Sequence, residues 1–133
     1  MSKIFMIGDS HAGVYPLSYH KWMDNFKNYF YNFYIPLLKE KSKPGDICIH
    51  VGDLFDNRNT VPIDVLNDVQ GVVEEISKIL PLHILLGNHD IYTKSTNDIN
   101  TTKIFKYIPN VFIYEETTQI DYNGLKLLLM PWV

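Results

Sequence analysis

Three short polar clusters contain the residue types in this chain that could do chemistry. They are Asp9-Ser10-His11, the segment from Gly52 to Arg58, and Gly87-Asn88-His89-Asp90. Carboxylate, imidazole and amide groups are the ligands that proteins offer to metals such as Mn²⁺, Fe and Zn²⁺. Clusters that combine Asp, His and Asn therefore predict metal chemistry.

The clusters have a common position, because each directly follows an apolar run that is typical of a buried strand. These runs cover residues 4–7, 46–51 and 82–86. If the three strands lie side by side in one parallel sheet, all three clusters reach its carboxyl edge. Open α/β sheets bind their ligands at that edge.

The spacing within the clusters indicates a set of ligands. Asp9 and His11 are two residues apart, so on an extended segment their side chains share a face and can hold one ion. Asp53 offers two oxygens that could bridge two ions, and Asn88 adds a neutral oxygen. Cys48 is the single cysteine, and the absence of cysteine ligands argues against a structural zinc–thiolate site.

The segments between the predicted strands have apolar residues at the spacing of an α-helix. Aromatic and apolar residues recur at steps of three and four from Trp22 to Leu37, which predicts an amphipathic helix over residues 18–38 that Pro36 bends or ends. The same pattern recurs from Val65 to Leu80 and predicts a second helix, with Thr60 as its N-cap and Pro62 in its first turn.

The last third of the chain predicts a short helix and three more strands. The helix is expected over residues 100–107, and a strand over 111–114. Residues 118–121 and 125–129 then form a hairpin with a type I′ turn at Asn123-Gly124. We therefore expect an α/β fold with a sheet of mainly parallel strands, flanking helices and a terminal β-hairpin.

The three motifs D-x-H, G-D-x-x-D and G-N-H-D, in this order, resemble those of the calcineurin-like metallophosphoesterase superfamily. Protein phosphatases of that superfamily place Arg directly after the second Asp, whereas here Asn57 separates Asp56 from Arg58. The sequence GDLFDNR is more similar to the SbcD branch of DNA repair nucleases. Residues 109–132 also resemble the recombination endonuclease subunits of T-even-like bacteriophages.

The resemblance implies a role for each matching residue. Asp9 and His11 would bind the first of two divalent ions, Asp53 would bridge the pair, and Asn88 would bind the second ion. The implied ions are Mn²⁺, with Mg²⁺, Fe or Zn²⁺ as alternatives. His89 corresponds to the catalytic histidine, which assists the leaving oxygen and is not a metal ligand.

Three further residues complete the predicted site. The His89 imidazole needs an acceptor to fix its tautomer, and Asp56 is the first candidate and Asp90 the second. Arg58 could bind phosphate or form a structural ion pair. By contrast, His50 and His83 lie inside predicted strands and His20 on the aromatic helix, so all three are expected to be structural or surface residues.

One departure from the resemblance concerns later metal ligands. Family members supply further histidines from strands beyond this length, and this sequence has none after His89. We therefore interpret residues 1–133 as the amino-terminal portion of a nuclease domain, an incomplete domain that by itself binds one ion at best and is inactive.

Composition narrows the function classes. The 133 residues are 46% hydrophobic and fit one domain with a real core, and the net charge of −3 gives no basic surface typical of nucleic-acid binding. No apolar run is long enough to cross a bilayer, so no membrane partner is expected. A cytoplasmic protein is expected, in the host cytoplasm if a phage encodes it.

Three functions remain open on the sequence. The first is a metal-dependent DNA nuclease subunit of recombination and repair, for which the resemblance implies DNA, an SbcC-type ATPase and a homodimer as partners. The second is a small-molecule or nucleotide phosphoesterase, which the acidic charge favours. The third is a metal-poor binding or scaffold fragment, which the missing histidines favour.

Overall fold

The structure is a computed structural model that describes residues 2–13, 19–57, 60–93 and 96–132. For residues 19–20, 92–93 and 96–99 it describes the backbone alone. The strands in these ranges are β1 (Ile4–Ile7), β2 (Ile47–His50), β3 (Leu82–Leu85), β4 (Ile91–Thr93), β5 (Thr96–Asn100), β6 (Val111–Tyr114), β7 (Thr118–Tyr122) and β8 (Leu125–Leu129). The helices are α1 (Tyr19–Tyr29), α2 (Ile35–Lys41) and α3 (Ile63–Ile79), with a π-helical segment (Phe30–Tyr34) and a 3₁₀-helix (Lys103–Tyr107).

A four-stranded parallel sheet organises the chain. Its order is β1-β2-β3-β6, with Ile4 opposite Ile47 and Cys48 opposite Leu82. The expected α/β fold with a parallel sheet is confirmed. Because β1, β2 and β3 are adjacent, the three polar clusters all emerge at one edge of the sheet.

Each face of the sheet has its own apolar core. On one face, Cys48 and Ile84 pack with helices α1, α2 and α3, which contribute buried residues such as Val69. On the other, Ile49 and Leu85 pack against the hairpin β7-β8. Alternation of side chains along each strand directs them to these two cores in turn. Both faces of β2 and β3 are therefore buried, as their continuous apolar sequences predict.

The aromatic helix does not end at Pro36, which was one of the two outcomes expected there. Instead, α1 passes through the π-helical segment into α2, and Pro36 lies in the first turn of α2. Proline would clash with the preceding turn of a regular α-helix, and the wider π-helical turn just before it relieves that clash. The segment buries Phe30 and Tyr34 and brings the Tyr34 hydroxyl to 3.4 Å from the Cys48 Sγ.

The second helix begins near its predicted start, but the predicted cap is wrong. Pro62 is the N-cap residue of α3, no side chain caps it, and the Thr60 N–H instead donates to the Asn57 side chain. A capping side chain would accept an N–H of the first turn, and here the Val65 N–H donates to the Asp64 carboxylate instead, at 2.9 Å. Asp64 places a carboxylate in the first turn, where the helix dipole favours it.

Residues 91–107 also differ from the prediction. Strands β4 and β5 form a small antiparallel pair, and only residues 103–107 are helical, as a 3₁₀ turn. Phe105 is buried, whereas Ile104 and Tyr107 are 51% and 80% exposed. A single buried anchor cannot support the apolar stripe of a longer α-helix.

The predicted terminal hairpin is confirmed, with its turn at Asn123-Gly124. Strand β7 pairs with β8 so that Tyr122 faces Leu125. Asn123 and Gly124 have φ values of 52° and 85°, and a type I′ turn requires positive φ at both positions. Among the helices that the structure describes, none is long and apolar enough to span a membrane.

Candidate metal centre

The loops after β1 and β2 are joined by backbone hydrogen bonds that continue the sheet beyond the ends of the strands. The Asp9 N–H donates to the Gly52 carbonyl at 3.0 Å, and the His11 N–H donates to the Asp53 carbonyl at 2.9 Å. These bonds fix the first polar cluster against the second. The two loops therefore present their side chains as one unit.

The loop after β3 can approach the loop after β2 closely because residue 87 is glycine. A Cβ atom at this position would overlap the Asp53 carboxylate and the Asp53 backbone nitrogen. At Gly52, whose φ is 119°, a Cβ atom would come within 3.0 Å of the Gly87 backbone. Glycine at both positions lets the β2 and β3 loops touch, which brings the Asn88-His89 pair to Asp53.

Asp90 is buried beneath the loops and anchors two of them. One carboxylate oxygen accepts the N–H groups of Asp53 and Gly87, each at 2.9 Å, and the other accepts the Phe55 N–H at 3.2 Å. Burial and, to a smaller extent, the Asp53 charge raise the pKa of Asp90 to about 6, while the N–H groups of Gly87, Phe55 and Leu54 favour its charged form and oppose that rise. Asp90 thus holds the backbone and does not orient the His89 ring.

Three side chains, one from each loop, form the candidate metal centre. Ligand atoms of His11, Asp53 and His89 all lie within 4.8 Å of one another. The His11 Nε2 is 3.7 Å from the Asp53 Oδ2, and the two imidazole rings meet edge to face with their centroids 5.0 Å apart. The structure thus brings His89 into the same cluster as the predicted ligands.

Asp9 and Asn88 lie at the border of this cluster. The Asp9 Oδ1 is 3.7 Å from the His11 Nε2, and the Asp9 side chain is 79% exposed. The Asn88 amide contacts Asp53, and with its nitrogen turned toward the carboxylate it donates to both oxygens, at 3.1 Å and 3.2 Å. Turned the other way, its oxygen would face the same carboxylate, an arrangement that a cation between the two groups would favour.

Asp56 orients both histidines, through different atoms. Its carboxylate accepts a hydrogen bond from the His11 Nδ1 at 3.0 Å, and its backbone carbonyl accepts one from the His89 Nδ1 at 2.7 Å. Nδ1 therefore carries the proton in both rings. Asp56 is thus the partner of His89, as predicted, but it accepts the hydrogen bond of His89 through its backbone carbonyl. The Asp56 carboxylate accepts the hydrogen bond of His11.

The backbone at the candidate ligands is left-handed, which the expectation of an extended segment missed. Asp9, His11 and Asp53 have φ values of 53°, 45° and 55°. Residues other than glycine rarely adopt this conformation, and such strain is typical of functional sites. Asp9 and His11 therefore converge because the chain turns, not because alternate residues of a strand share a face.

Sequence reasoning missed a contribution from His50, which is 4% exposed at the end of β2. Its Nε2 lies 2.8 Å from the Ser10 Oγ, and the Gly52 N–H donates to its Nδ1 at 3.2 Å. Burial lowers the pKa of His50 to about 4, so the ring is neutral. A histidine in the strand that leads into Gly-Asp is the only signal for this contact in the sequence.

Two neighbouring cavities meet at Asp9. One, of about 490 Å³, opens over Asp53 and Asn88, and the other, of about 280 Å³, extends toward α1. Trp22 and Tyr29 line the second cavity and are 41% and 43% exposed. An aromatic wall thus adjoins the candidate metal centre. Arg58 and the His20 side chain lie outside the described residues.

The donor set fits a divalent cation. Asp53 supplies carboxylate oxygens, His11 supplies Nε2, and the centre combines them with His89, the Asp9 carboxylate and the Asn88 amide. Oxygen and imidazole donors without thiolates suit Mn²⁺, Fe or Zn²⁺. Asp56 behind His11 is the carboxylate–histidine arrangement that supports metal ligands.

Comparison with known proteins agrees with this geometry. The family profile described as calcineurin-like phosphoesterase matches residues 2–132. The chain belongs to this family. The match confirms the family resemblance of the three motifs. Calcineurin-like phosphoesterases are metal-dependent hydrolases that act on ester bonds.

Two viral relatives match nearly the whole chain. Exonuclease subunit 1 of Enterobacteria phage T4 is 30% identical over 138 residues, which cover 98% of this chain and 38% of the phage protein. Protein 078R of Invertebrate iridescent virus 3 is 29% identical over 140 residues, which cover 98% of this chain and 35% of that protein. The chain thus spans little more than a third of the length of either relative.

A solved structure shares the fold. The protein AQ665 of Aquifex aeolicus, whose function is unknown, superposes with a TM-score of 0.52 at 20% identity, over 96% of this chain and 59% of the other. At this identity the likeness concerns the fold alone. The strands, flanking helices and hairpin therefore belong to a fold that is seen in a solved structure.

Proposed function

We propose that this chain is the amino-terminal part of a metal-dependent nuclease subunit that hydrolyses phosphodiester bonds in DNA during recombination and repair. The observation that carries the proposal is the convergence of His11, Asp53 and His89, within 4.8 Å, at the carboxyl edge of the sheet. The name of the T4 relative, exonuclease subunit 1, supports a nucleic acid as the substrate, and we propose DNA because the GDLFDNR motif resembles that of DNA repair nucleases.

Four side chains would bind the metal. Asp9, His11, Asp53 and Asn88 would hold divalent ions, most simply Mn²⁺, with Asp53 shared between two. Such ions supply Lewis-acid stabilisation of phosphate charge and lower the pKa of water. The side chains hold their donors in place before any ion binds, because Asp56 and Asp90 fix the loops that carry them.

His89 is proposed as the catalytic acid. Because its Nδ1–H is held by the Asp56 carbonyl, Nε2 is the nitrogen that can take up and give a proton at the reacting phosphate. Attack of water on phosphorus would break the bond to the leaving oxygen, and the imidazolium would donate its Nε2 proton to that oxygen. The proton that the attacking water loses to solvent would balance the one that His89 later takes up again. General-acid assistance of this kind contributes a factor of roughly 10²–10⁴ in rate.

The experiment compares Asp53→Ala and His89→Ala with the wild type in the full-length protein, on linear duplex and single-stranded DNA with Mn²⁺. Both variants should lose cleavage, but His89→Ala should keep its bound Mn²⁺ whereas Asp53→Ala should not. Wild-type cleavage in EDTA would contradict the proposal. Loss of Mn²⁺ from His89→Ala would make His89 a ligand instead.

A nucleotide phosphoesterase is the second candidate, favoured by the net charge of −3 and by the aromatic cavity beside Asp9. Bases stack on aromatic side chains whether they belong to DNA or to free nucleotides. Turnover of a nucleotide phosphodiester with no cleavage of DNA would favour this candidate.

The proposed partners follow from the nuclease assignment. A subunit implies a second component, and we propose an SbcC-type ATPase in the same cytoplasm, or in the host cytoplasm for a phage-encoded protein. A homodimer through the aromatic helix is supported by Tyr31 and Phe33, which are 41% and 53% exposed. Light scattering of the full-length protein that shows only monomers at high concentration would exclude the dimer.

A further inference from the structure

His50 contacts the two loops that carry the candidate metal ligands. The Gly52 N–H donates to its Nδ1 at 3.2 Å, and its Nε2 lies 2.8 Å from the Ser10 Oγ. A backbone N–H can only donate, so Nδ1 is the acceptor and Nε2 carries the proton. The Nε2–H group therefore donates to Ser10, and one tautomer satisfies both bonds.

Both partners of His50 lie next to candidate ligands in the chain. Ser10 stands between Asp9 and His11, and Gly52 directly precedes Asp53. The imidazole thus forms a buried bridge beneath the two loops, at the point where their backbone becomes left-handed. Strained backbone persists only where its surroundings hold it.

His83 shows what a histidine with only a structural role looks like in this fold. It also lies inside a buried strand, β3, and its Nδ1 is 2.6 Å from the Tyr114 hydroxyl. Its ring stacks on Phe112 and Tyr114, within the sheet and away from the three loops. Both hydrogen bonds of His50 instead go to the loops that hold the site.

We propose that His50 is a positioning residue that fixes the Asp9–His11 loop relative to Asp53 and thereby sets the metal affinity of the centre. The inference rests on the proposed metal-dependent function. It assigns no contact with metal or substrate to His50, which acts through Ser10 and Gly52.

The first test measures Mn²⁺ affinity of the 133-residue chain by calorimetry. Ser10→Ala removes the acceptor of the Nε2–H, and His50→Asn shortens the side chain so that it no longer reaches Ser10. Each should weaken Mn²⁺ binding about 10- to 100-fold, as loss of a residue that supports a ligand does. His50→Gln, whose amide can still reach Ser10, should recover part of the affinity.

His83→Gln is the matched control, because it alters a buried histidine of the neighbouring strand. It should reduce the thermal midpoint without changing Mn²⁺ affinity. Affinities of Ser10→Ala and His50→Asn within twofold of the wild type would overturn the proposal, as would an equal loss of affinity in His83→Gln.

A second, metal-free measurement separates this inference from the proposed function. In EDTA, Ser10→Ala should shift the imidazole Nε2 signal of His50 and, through the ring, the backbone amide signal of Gly52, whose N–H donates to the His50 Nδ1. Shifts confined to the Asp9–His11 loop would overturn the bridging role even if Mn²⁺ binds. Failure of the wild type to bind Mn²⁺, with the bridge intact in the spectra, would instead refute the proposed metal centre and the effect of His50 on it.

Discussion

His89 and Asp56 are joined by a hydrogen bond of 2.7 Å between the imidazole Nδ1 and the backbone carbonyl. The Asp56 carboxylate makes the corresponding bond to His11, at 3.0 Å. One residue therefore sets the tautomer of both histidines, one through its main chain and one through its side chain. Because the two acceptors are different atoms, a substitution can separate the two effects.

Asp56→Asn should affect His11 and spare His89. The variant loses the carboxylate but keeps the carbonyl, so the His89 Nδ1–H stays bonded while the support of His11 weakens. We expect Mn²⁺ affinity to fall about 10- to 100-fold. Imidazole ¹⁵N shifts should report an altered His11 and an unchanged His89, with exposed Asp24→Asn as the charge-matched control. A change of tautomer at His89 would contradict the geometry.

Gly87→Ala should disable the centre by steric overlap. The added methyl group would occupy the space of the Asp53 carboxylate, so either the β3 loop or the ligand must move. Mn²⁺ titration should show no binding. Gly124→Ala is the control: no atom lies within 4 Å of the added methyl group, although the φ of 85° is unfavourable for alanine. It should keep metal binding and lose about 1 kcal/mol of stability. Normal binding by Gly87→Ala would refute the close approach.

Asp90→Ala should be among the most destabilising single substitutions in the chain. It leaves the backbone N–H groups of Asp53, Phe55 and Gly87 without their acceptor. We expect the free energy of unfolding to fall by about 3–5 kcal/mol. Asp68→Ala, which removes a partly exposed ion pair with Lys27, should cost less than about 1 kcal/mol. Equal effects of the two substitutions in urea denaturation would contradict the anchoring role.

The free energy of unfolding should fall in acid because His50 is buried as the neutral imidazole. Its pKa is lowered to about 4, below the ordinary 6.5, so the unfolded chain binds a proton more readily than the folded one between these values. The stability contributed by neutral His50 is complete above pH 6.5 and is lost as the pH falls toward 4. The charge of Asp9 favours the protonated ring, and that of His11 opposes it.

The measurement compares wild type with His50→Gln in EDTA. The difference in the free energy of unfolding between the two proteins should shrink by about 2.5 kcal/mol from pH 7 to pH 4.5. The raised pKa of Asp90 acts in the opposite sense over this range, but it is common to both proteins and cancels in the difference. A difference that does not depend on pH would show that His50 is accessible to protons.

The sequence predicted the sheet and the identity of the clustered residues because apolar runs and strand-end motifs are local signals. The π-helical segment before Pro36 and the β4-β5 pair depend on tertiary packing, and no local pattern indicated them. The left-handed backbone at Asp9, His11 and Asp53 was also missed, since none of these residues requires positive φ by itself. His50 was assigned a structural role because a strand sequence does not show which loops its ring will contact.

Titration of the 133-residue chain with Mn²⁺, followed through the imidazole NMR signals, tests the central claim most directly. Mn²⁺ is paramagnetic and broadens the signals of nearby nuclei. We predict that His11 and His89 broaden first, at less than one ion per chain, and that His83, bonded to Tyr114 inside the sheet, broadens last. Asp53→Ala should abolish the effect. Broadening that reaches His83 before His11 and His89, or that persists in Asp53→Ala, would contradict a metal centre at the junction of the three loops.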